Sequence, residues 1–199
     1  MIGETAPNFS AQSTQGVINF PDDYFGKWKI LFSHPADFTP VCSTEIMGLA
    51  EISDEFGKRN TQIVVMSTDG IGSHISWVKS LENIQIQNRE SIKVDFPIVS
   101  DPELKVSKMY GMIHPANITT QDIRGVFIID SENKIRASIF YPSTTGRNLN
   151  EILRVLDALQ LSDKKNVFTP VNWKKGDDVL IQSPASVEES KKLEQKKDP

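Results

Sequence analysis

The sequence predicts an α/β fold in which a central mixed β-sheet is flanked by helices and followed by a C-terminal arm. Three observations carry this prediction. Short apolar runs alternate with helix-periodic segments in the order β-α-β-α-β-α-β-β-α, two late strands adjoin through a tight polar turn, and the periodicity stops after Ser162. Strands joined through helices pair in parallel and strands joined by a hairpin pair antiparallel, so the sheet must be mixed.

Residues 29–34, Lys-Ile-Leu-Phe-Ser-His, read as a short buried strand ended by Pro35. A helix is expected next, with Thr39 as N-cap and Pro40 at the first helical position, where no backbone N–H is needed. Glu45, Leu49, Ile52 and Phe56 step along one face of it, with Ile46 beside them, which carries the helix to about Arg59. Residues 62–66 form a second buried strand. Ile71, Ile75, Val78 and Glu82 mark a second helix, and residues 96–99 a third strand. Asp101-Pro102-Glu103 opens a brief helix with a cap, a proline and an acid near its positive end. Residues 125–130 and 134–141 are two apolar strands around Ser131-Glu132-Asn133. Asn148 with Glu151 resembles a capping box, and Leu149, Ile152, Leu153, Leu156 and Leu159 give the clearest helix in the chain. The expected organisation is a domain over residues 3–162, an arm over 163–187 and a polar tail over 188–199.

The chain has 199 residues, with 22 basic against 26 acidic side chains and a net charge of −4. That balance argues against binding nucleic acid or an anionic membrane through bulk charge. No apolar run approaches the ~18 residues of a membrane span, and the start of the chain is neither basic nor apolar, unlike a secretory signal. Cys42 is the one cysteine, which excludes an internal disulfide and any Cys-x-x-Cys motif. His34, His74 and His114 show no metal-ligand spacing. These features predict a cytoplasmic protein with no metal and no tightly bound cofactor.

A lone cysteine in such a chain is usually a small buried hydrophobe. With Thr39 as N-cap, however, Cys42 falls at the third helical position, where unpaired N–H groups and the helix dipole favour a thiolate. Spacing alone leaves both readings open.

The longer string Pro35-Ala36-Asp37-Phe38-Thr39-Pro40-Val41-Cys42 resembles the active-site pattern of the peroxiredoxins, Pro-x-x-x-Thr-x-x-Cys. Leu31-Phe32-Ser33-His34-Pro35, Thr144-Thr145-Gly146-Arg147-Asn148 and Phe168-Thr169-Pro170-Val171-Asn172-Trp173 resemble the 1-Cys branch of these AhpC/TSA-like thiol peroxidases. The resemblance spans residues 3–185. It implies a thioredoxin-like fold and reduction of hydrogen peroxide and organic hydroperoxides, with Cys42 as the peroxidatic thiol oxidised to sulfenic acid. It further implies that Thr39 hydrogen-bonds the peroxide, that Pro35 shields the sulfur, and that Arg124 lies beside sulfur and peroxide. Glu45 and Arg147 would hold that arginine and the pocket, and His34 would lie near the sulfur. Each has a plainer reading: N-cap for Thr39, strand terminator for Pro35, surface ion pairs for the arginines, helix-start acid for Glu45, structural histidine for His34. His74 and His114 are expected at the surface or in packing, and Trp77 and Trp173 in the core.

With no second cysteine, the resemblance implies an external thiol reductant such as glutathione or thioredoxin. It also implies a homodimer joined along the strand at 134–141, with higher oligomers open. Some 1-Cys relatives carry a lipase-like Gly-x-Ser-x-Gly string before the first active-site strand. Here the stretch reads Gly26-Lys27-Trp28-Lys29, so phospholipase activity is not implied. Two other function classes stay open: a peroxide sensor that relays oxidation to a partner protein, and a binding module with an inert cysteine.

Ionisation alone is a weak catalytic device. A thiol of pKa ~8.5 is roughly 7% ionised at pH 7.4, so complete ionisation raises the reactive fraction only about 13-fold. Part of that gain is lost as nucleophilicity falls with pKa. Larger accelerations require alignment of the peroxide and stabilisation of charge on the departing oxygen.

Overall fold

The computed structural model describes residues 2–84, 92–113 and 120–181. The chain forms two compact units, Met1–Leu149 and Asn150–Pro199.

In the first unit the strands are β1 (Phe9–Ser13), β2 (Gly16–Phe20), β3 (Trp28–Ser33), β4 (Thr61–Ser67), β5 (Ile98–Ser100), β6 (Arg124–Ile129) and β7 (Ile135–Tyr141). They make one sheet in the order β2-β1-β5-β4-β3-β6-β7. β3, β4 and β5 pair in parallel, whereas β6 runs antiparallel to both β3 and β7. The sheet is therefore mixed, as the sequence predicts, and its helical connections are α1 (Pro40–Glu51), α2 (Ser53–Gly57), α3 (Ile71–Glu82) and α4 (Lys105–Met109).

β3 and β6 are buried along their whole length, so their sequences show continuous apolar runs rather than alternation. Phe20, Leu31, Val64, Met66, Val99, Tyr110 and Phe127 belong to the core beneath them. Lys29 is the exception in β3. It is wholly buried, and its Nζ donates to the carbonyls of Lys27 at 2.8 Å and Asp130 at 2.7 Å.

Several expectations shift. The N-terminal hairpin β1–β2 is not anticipated: its inward residues alternate, but the strands are short and inward Ala11 and Ser13 are small or polar, so the period-two signal is weak. The helix expected to reach Arg59 breaks at Ile52, whose φ of −114° and ψ of 13° are not helical, and resumes as α2. The brief helix begins at Lys105 rather than at Asp101. Asp101 still serves that turn, because its carboxylate accepts the amides of Lys105 at 2.9 Å and Ser107 at 2.8 Å.

The second unit holds most of helix α5 (Leu149–Lys165), which runs three residues past Ser162, and a small ribbon of β8 (Val167–Phe168) with β9 (Leu180–Ile181). Trp173 is buried there, its Nε1 donating to the Asp177 carbonyl at 3.1 Å, while Arg154 donates to the Trp173 carbonyl. Trp77 is likewise buried in the first unit, so both tryptophans are core residues. His114 and the tail over 188–199 lie outside the described residues.

Candidate active site

The site forms where β3 ends. The antiparallel register of β3 against β6 pairs Phe32 with Val126, which places the first residue of β6, Arg124, beside the loop that follows Ser33. Ser33 secures this junction: its hydroxyl donates to the Ile123 carbonyl at 2.7 Å and accepts the Gly125 amide at 2.9 Å. Gly125 is required by space, since a Cβ there would lie 3.1 Å from Ser33 Oγ and 3.3 Å from the Phe127 ring.

From β3 the chain passes through buried His34 and Pro35, turns at Phe38 in the left-handed region (φ 56°), and enters α1. Thr39 has the extended backbone of an N-cap and Pro40 is the first helical residue, as predicted. The Thr39 side chain departs from the expectation, because its hydroxyl donates to the Ala36 carbonyl at 2.9 Å and does not cap the helix. Donating its one proton to Ala36 leaves the Thr39 oxygen free to accept. Cys42 occupies the third helical position with its side chain wholly buried.

One helical turn on, Glu45 shares the buried face of α1 with Cys42, Ile46 and Leu49. Two arginines from distant parts of the chain converge on it. Arg124 Nη1 donates to Glu45 Oε2 at 2.6 Å and lies 3.4 Å from Cys42 Sγ. Its Nε and Nη2 both donate to the Ser143 carbonyl, at 3.0 and 2.7 Å. Arg147 gives Glu45 three bonds, from its backbone N (2.7 Å), Nε (2.9 Å) and Nη2 (2.8 Å), and its Nη1 holds the carbonyls of Ser33 and Gly125. The Arg147 guanidinium also lies over the Phe32 ring, 3.2 Å from its centroid.

All of these side chains are buried. Burial pushes the Glu45 carboxyl up, but the hydrogen bonds and charge of Arg147, joined by the charge of Arg124, hold it below the usual range. Burial weakens the protonated form of Arg147, and Glu45 offsets this. Two guanidiniums against one carboxylate leave one positive charge against the sulfur, and a thiolate on Cys42 brings the cluster to neutrality.

A second polar cluster backs the loop. Asp37 is buried and bridges two buried histidines: His34 Nε2 at 2.9 Å from Oδ1, and His74 Nδ1 at 2.8 Å from Oδ2. His74 Nε2 lies 3.1 Å from the Val99 carbonyl. His34 Nδ1, also buried, has no hydrogen-bond partner. The His34 ring lies tilted against Trp77, with centroids 5.0 Å apart, and the Trp77 Nε1 donates to Ser43 beside the cysteine.

Thus the structure brings Cys42, Arg124, Glu45 and Arg147 into direct contact, and places Thr39, Pro35 and His34 in the loop leading to them. Sequence reasoning misses Ser143, which contributes only a carbonyl and so leaves no side-chain signal. It also misses the tie between His74 and Asp37. A signal existed: His74, Trp77 and Leu81 recur at helical spacing, which puts His74 on the inner face of α3.

Asp122 stands apart from this network, two residues before Arg124. It is 2% exposed, and neither carboxylate oxygen has a hydrogen-bond partner. The adjacent Ser107 hydroxyl commits its proton to Asp101. Burial, with the charges of Asp101 and Asp69, raises the Asp122 pKa to about 7, against a weaker pull from Ser107. An acid whose pKa is raised on folding favours the folded state below its unfolded value of 3.8, and that contribution is lost as pH climbs through 7. The loss amounts to at most about 4 kcal/mol. Asp122→Asn is therefore expected to be more stable than the parent at pH 8 by a larger margin than at pH 4.5, as read from urea unfolding at both values. An equal difference at the two pH values would show that Asp122 does not titrate in this range.

Comparison with known proteins accords with this geometry. Residues 2–138 match the AhpC/TSA family, and residues 158–197 match the C-terminal domain of 1-Cys peroxiredoxin. A peroxiredoxin from Methanosarcina mazei is 50% identical over 189 residues, covering 94% of this chain and 86% of its own length. The 1-Cys peroxiredoxin of Dictyostelium discoideum is 43% identical over 192 residues, covering 96% and 78%. Among solved structures, a cysteine-to-serine mutant of peroxiredoxin 6 from Arenicola marina superposes with a TM-score of 0.87 at 37% identity, over 97% of this chain and 88% of that one. The yeast mitochondrial 1-Cys peroxiredoxin, solved to describe thiol resolution via glutathione/thioredoxin systems, gives a TM-score of 0.85 at 43% identity, over 96% and 91%. The buried cysteine at the start of α1, with an arginine against its sulfur, thus stands on a thioredoxin-like fold shared with these proteins, and the chain belongs to the AhpC/TSA family of peroxiredoxins as a thiol peroxidase of the 1-Cys kind.

Proposed function

We propose that Cys42 is the peroxidatic residue and that Thr39, Arg124 and Pro35 complete its peroxide site, with Glu45, Arg147 and His34 in support. The observation that carries this reading is the Arg124 guanidinium, whose Nη1 touches Sγ and is held by Glu45 while Nε and Nη2 are fixed by the Ser143 carbonyl. The Cys42 thiolate attacks one peroxide oxygen. An S–O bond forms as the O–O bond breaks, sulfur is oxidised to sulfenic acid, and the departing oxygen leaves as water or an alcohol after taking a proton. Arg124 offers a preorganised positive charge to the developing oxyanion. Thr39, whose hydroxyl proton is committed to Ala36, accepts a hydrogen bond from the incoming peroxide. Pro35 keeps water from the sulfur, and His34 Nδ1 is the free acceptor for the sulfenic hydroxyl.

An external thiol then condenses with the sulfenic acid to give a mixed disulfide and water, and a second thiol releases Cys42. Glutathione or thioredoxin is the proposed reductant, in line with the yeast relative. A lone cysteine suits a reducing compartment such as the cytoplasm. We assign a homodimer joined along β7. This strand is an edge of the sheet and exposes Phe140, and an uncovered apolar edge invites association. Residues 163–187 act as the dimerisation arm, which agrees with the C-terminal family match and with exposed Phe168, Val171, Leu180 and Ile181.

Mixing reduced protein with one equivalent of hydrogen peroxide tests the site. The thiol is expected to vanish faster than a small free thiol by far more than the ~13-fold that ionisation supplies, with one oxygen gained on Cys42 by intact mass. Loss no faster than that of the small thiol would overturn the assignment.

A further inference from the structure

His74 lies between two groups that accept hydrogen bonds. Its Nε2 faces the Val99 carbonyl, which can only accept, so Nε2 carries a proton. Its Nδ1 faces both oxygens of Asp37, at 2.8 and 3.1 Å. Burial opposes ionisation of Asp37, but the hydrogen bonds of His34 and His74 and the charge of His74 hold its carboxyl well below the usual range. An ionised carboxylate also only accepts, so Nδ1 carries a proton too. The same carboxylate requires His34 to donate from Nε2, and a neutral ring protonated there has a bare Nδ1. That nitrogen is the one buried without a partner. Burial, with the positive charges of His74 and Arg147, keeps His34 on the neutral side, against the pull of Asp37.

We infer that His74, as a buried imidazolium on α3, is a positioning residue for the peroxidatic site: it neutralises Asp37 and so fixes His34 as the tautomer whose Nδ1 is a free acceptor. The inference rests on the peroxide chemistry proposed for Cys42. Three elements join in this chain of contacts, with β5 and α3 gripping the loop that runs from β3 to Cys42. The charged groups around it are Asp37, Asp69, whose Oδ2 accepts the Asp37 amide at 2.8 Å, and Arg147. His34 packs on the uncharged face of Trp77. Without the His74 cation, Asp37 would draw a second proton onto His34 and close the acceptor.

Two measurements test this. In the wild type, nitrogen-15 spectra of labelled histidine are expected to show both His74 nitrogens protonated at pH 7.5, and His34 protonated at Nε2 alone. A bare nitrogen on His74, or the opposite tautomer of His34, would overturn the inference, and neither reading depends on peroxide chemistry. In His74→Gln, the rate of Cys42 oxidation relative to wild type is expected to fall as the pH drops from 8 to 6, because loss of the His74 cation favours a second proton on His34. A ratio that stays constant across that range would mark His74 as structural only. Should the variant fail to fold, the wild-type spectra decide alone; slow oxidation of the wild type would sink the peroxide assignment and leave the protonation pattern standing.

Discussion

Replacing Arg124 with glutamine is expected to slow oxidation of Cys42 by hydrogen peroxide by roughly 10²–10³-fold. The variant retains a donor near Glu45 and Ser143 but loses the positive charge that lies 3.4 Å from Sγ. In a buried cluster such a charge acts at low dielectric and needs no reorganisation as the oxygen departs. Glu45 keeps its three bonds to Arg147, so the fold is expected to survive. Rapid mixing at neutral pH, following thiol loss, gives the number. A decrease smaller than tenfold would remove Arg124 from the chemistry and reduce it to a strut. Lysine is not an adequate replacement, because one ammonium cannot reach Glu45, Sγ and the Ser143 carbonyl in the same plane.

Glu45→Ala is expected to cost stability on the scale of 3–5 kcal/mol, since removing one partner from a buried ion cluster leaves its counter-charges unpaired. Here two guanidiniums, both nearly inaccessible, would face each other across a cavity with only backbone carbonyls and the Cys42 sulfur to satisfy them. For a domain whose total stability is about 5–15 kcal/mol, that loss threatens folding at moderate temperature. Glu45→Gln keeps one acceptor oxygen and is expected to fall between alanine and the parent. The pH sign follows from the lowered carboxyl. Glu45 contributes fully above its ordinary pKa of 4.5, and its contribution disappears as pH falls through the lower folded value. Urea midpoints for the three proteins at pH 7 decide the matter, and an alanine variant within about 1 kcal/mol of the parent would show that the cluster relaxes without its acid.

How much of this was legible beforehand depends on whether a feature is local. The helix start at Thr39-Pro40 and the place of Cys42 in its first turn follow from local rules, and the structure keeps both. The contacts of Arg124 and Arg147 with Glu45 depend on strand order, which spacing does not encode; only the resemblance of the quoted motifs pointed to them. The break at Ile52 was hidden because an apolar residue in a periodic run looks helical whether or not its ψ is. His74 stayed open between surface and packing because imidazoles carry no pattern of their own, although its neighbours at helical spacing marked the inner face. The β1–β2 hairpin was lost because its alternation is real but runs over two five-residue strands interrupted by small and polar residues.

If Cys42 is the peroxidatic thiol, its full burial sets different demands on the two halves of the cycle. Hydrogen peroxide needs only a small opening beside that sulfur, whereas a peptide thiol or a protein disulfide reductase needs a far larger one. On the proposed reading, oxidation would use the intact first turn of α1, and recovery would require a state in which the sulfur is exposed to the incoming thiol. The two half-reactions pull the sequence in opposite directions: every contact that sharpens attack on the peroxide deepens the well from which the spent sulfur must climb. At high reductant the recovery rate would then become a property of the protein's own opening, independent of how much thiol surrounds it.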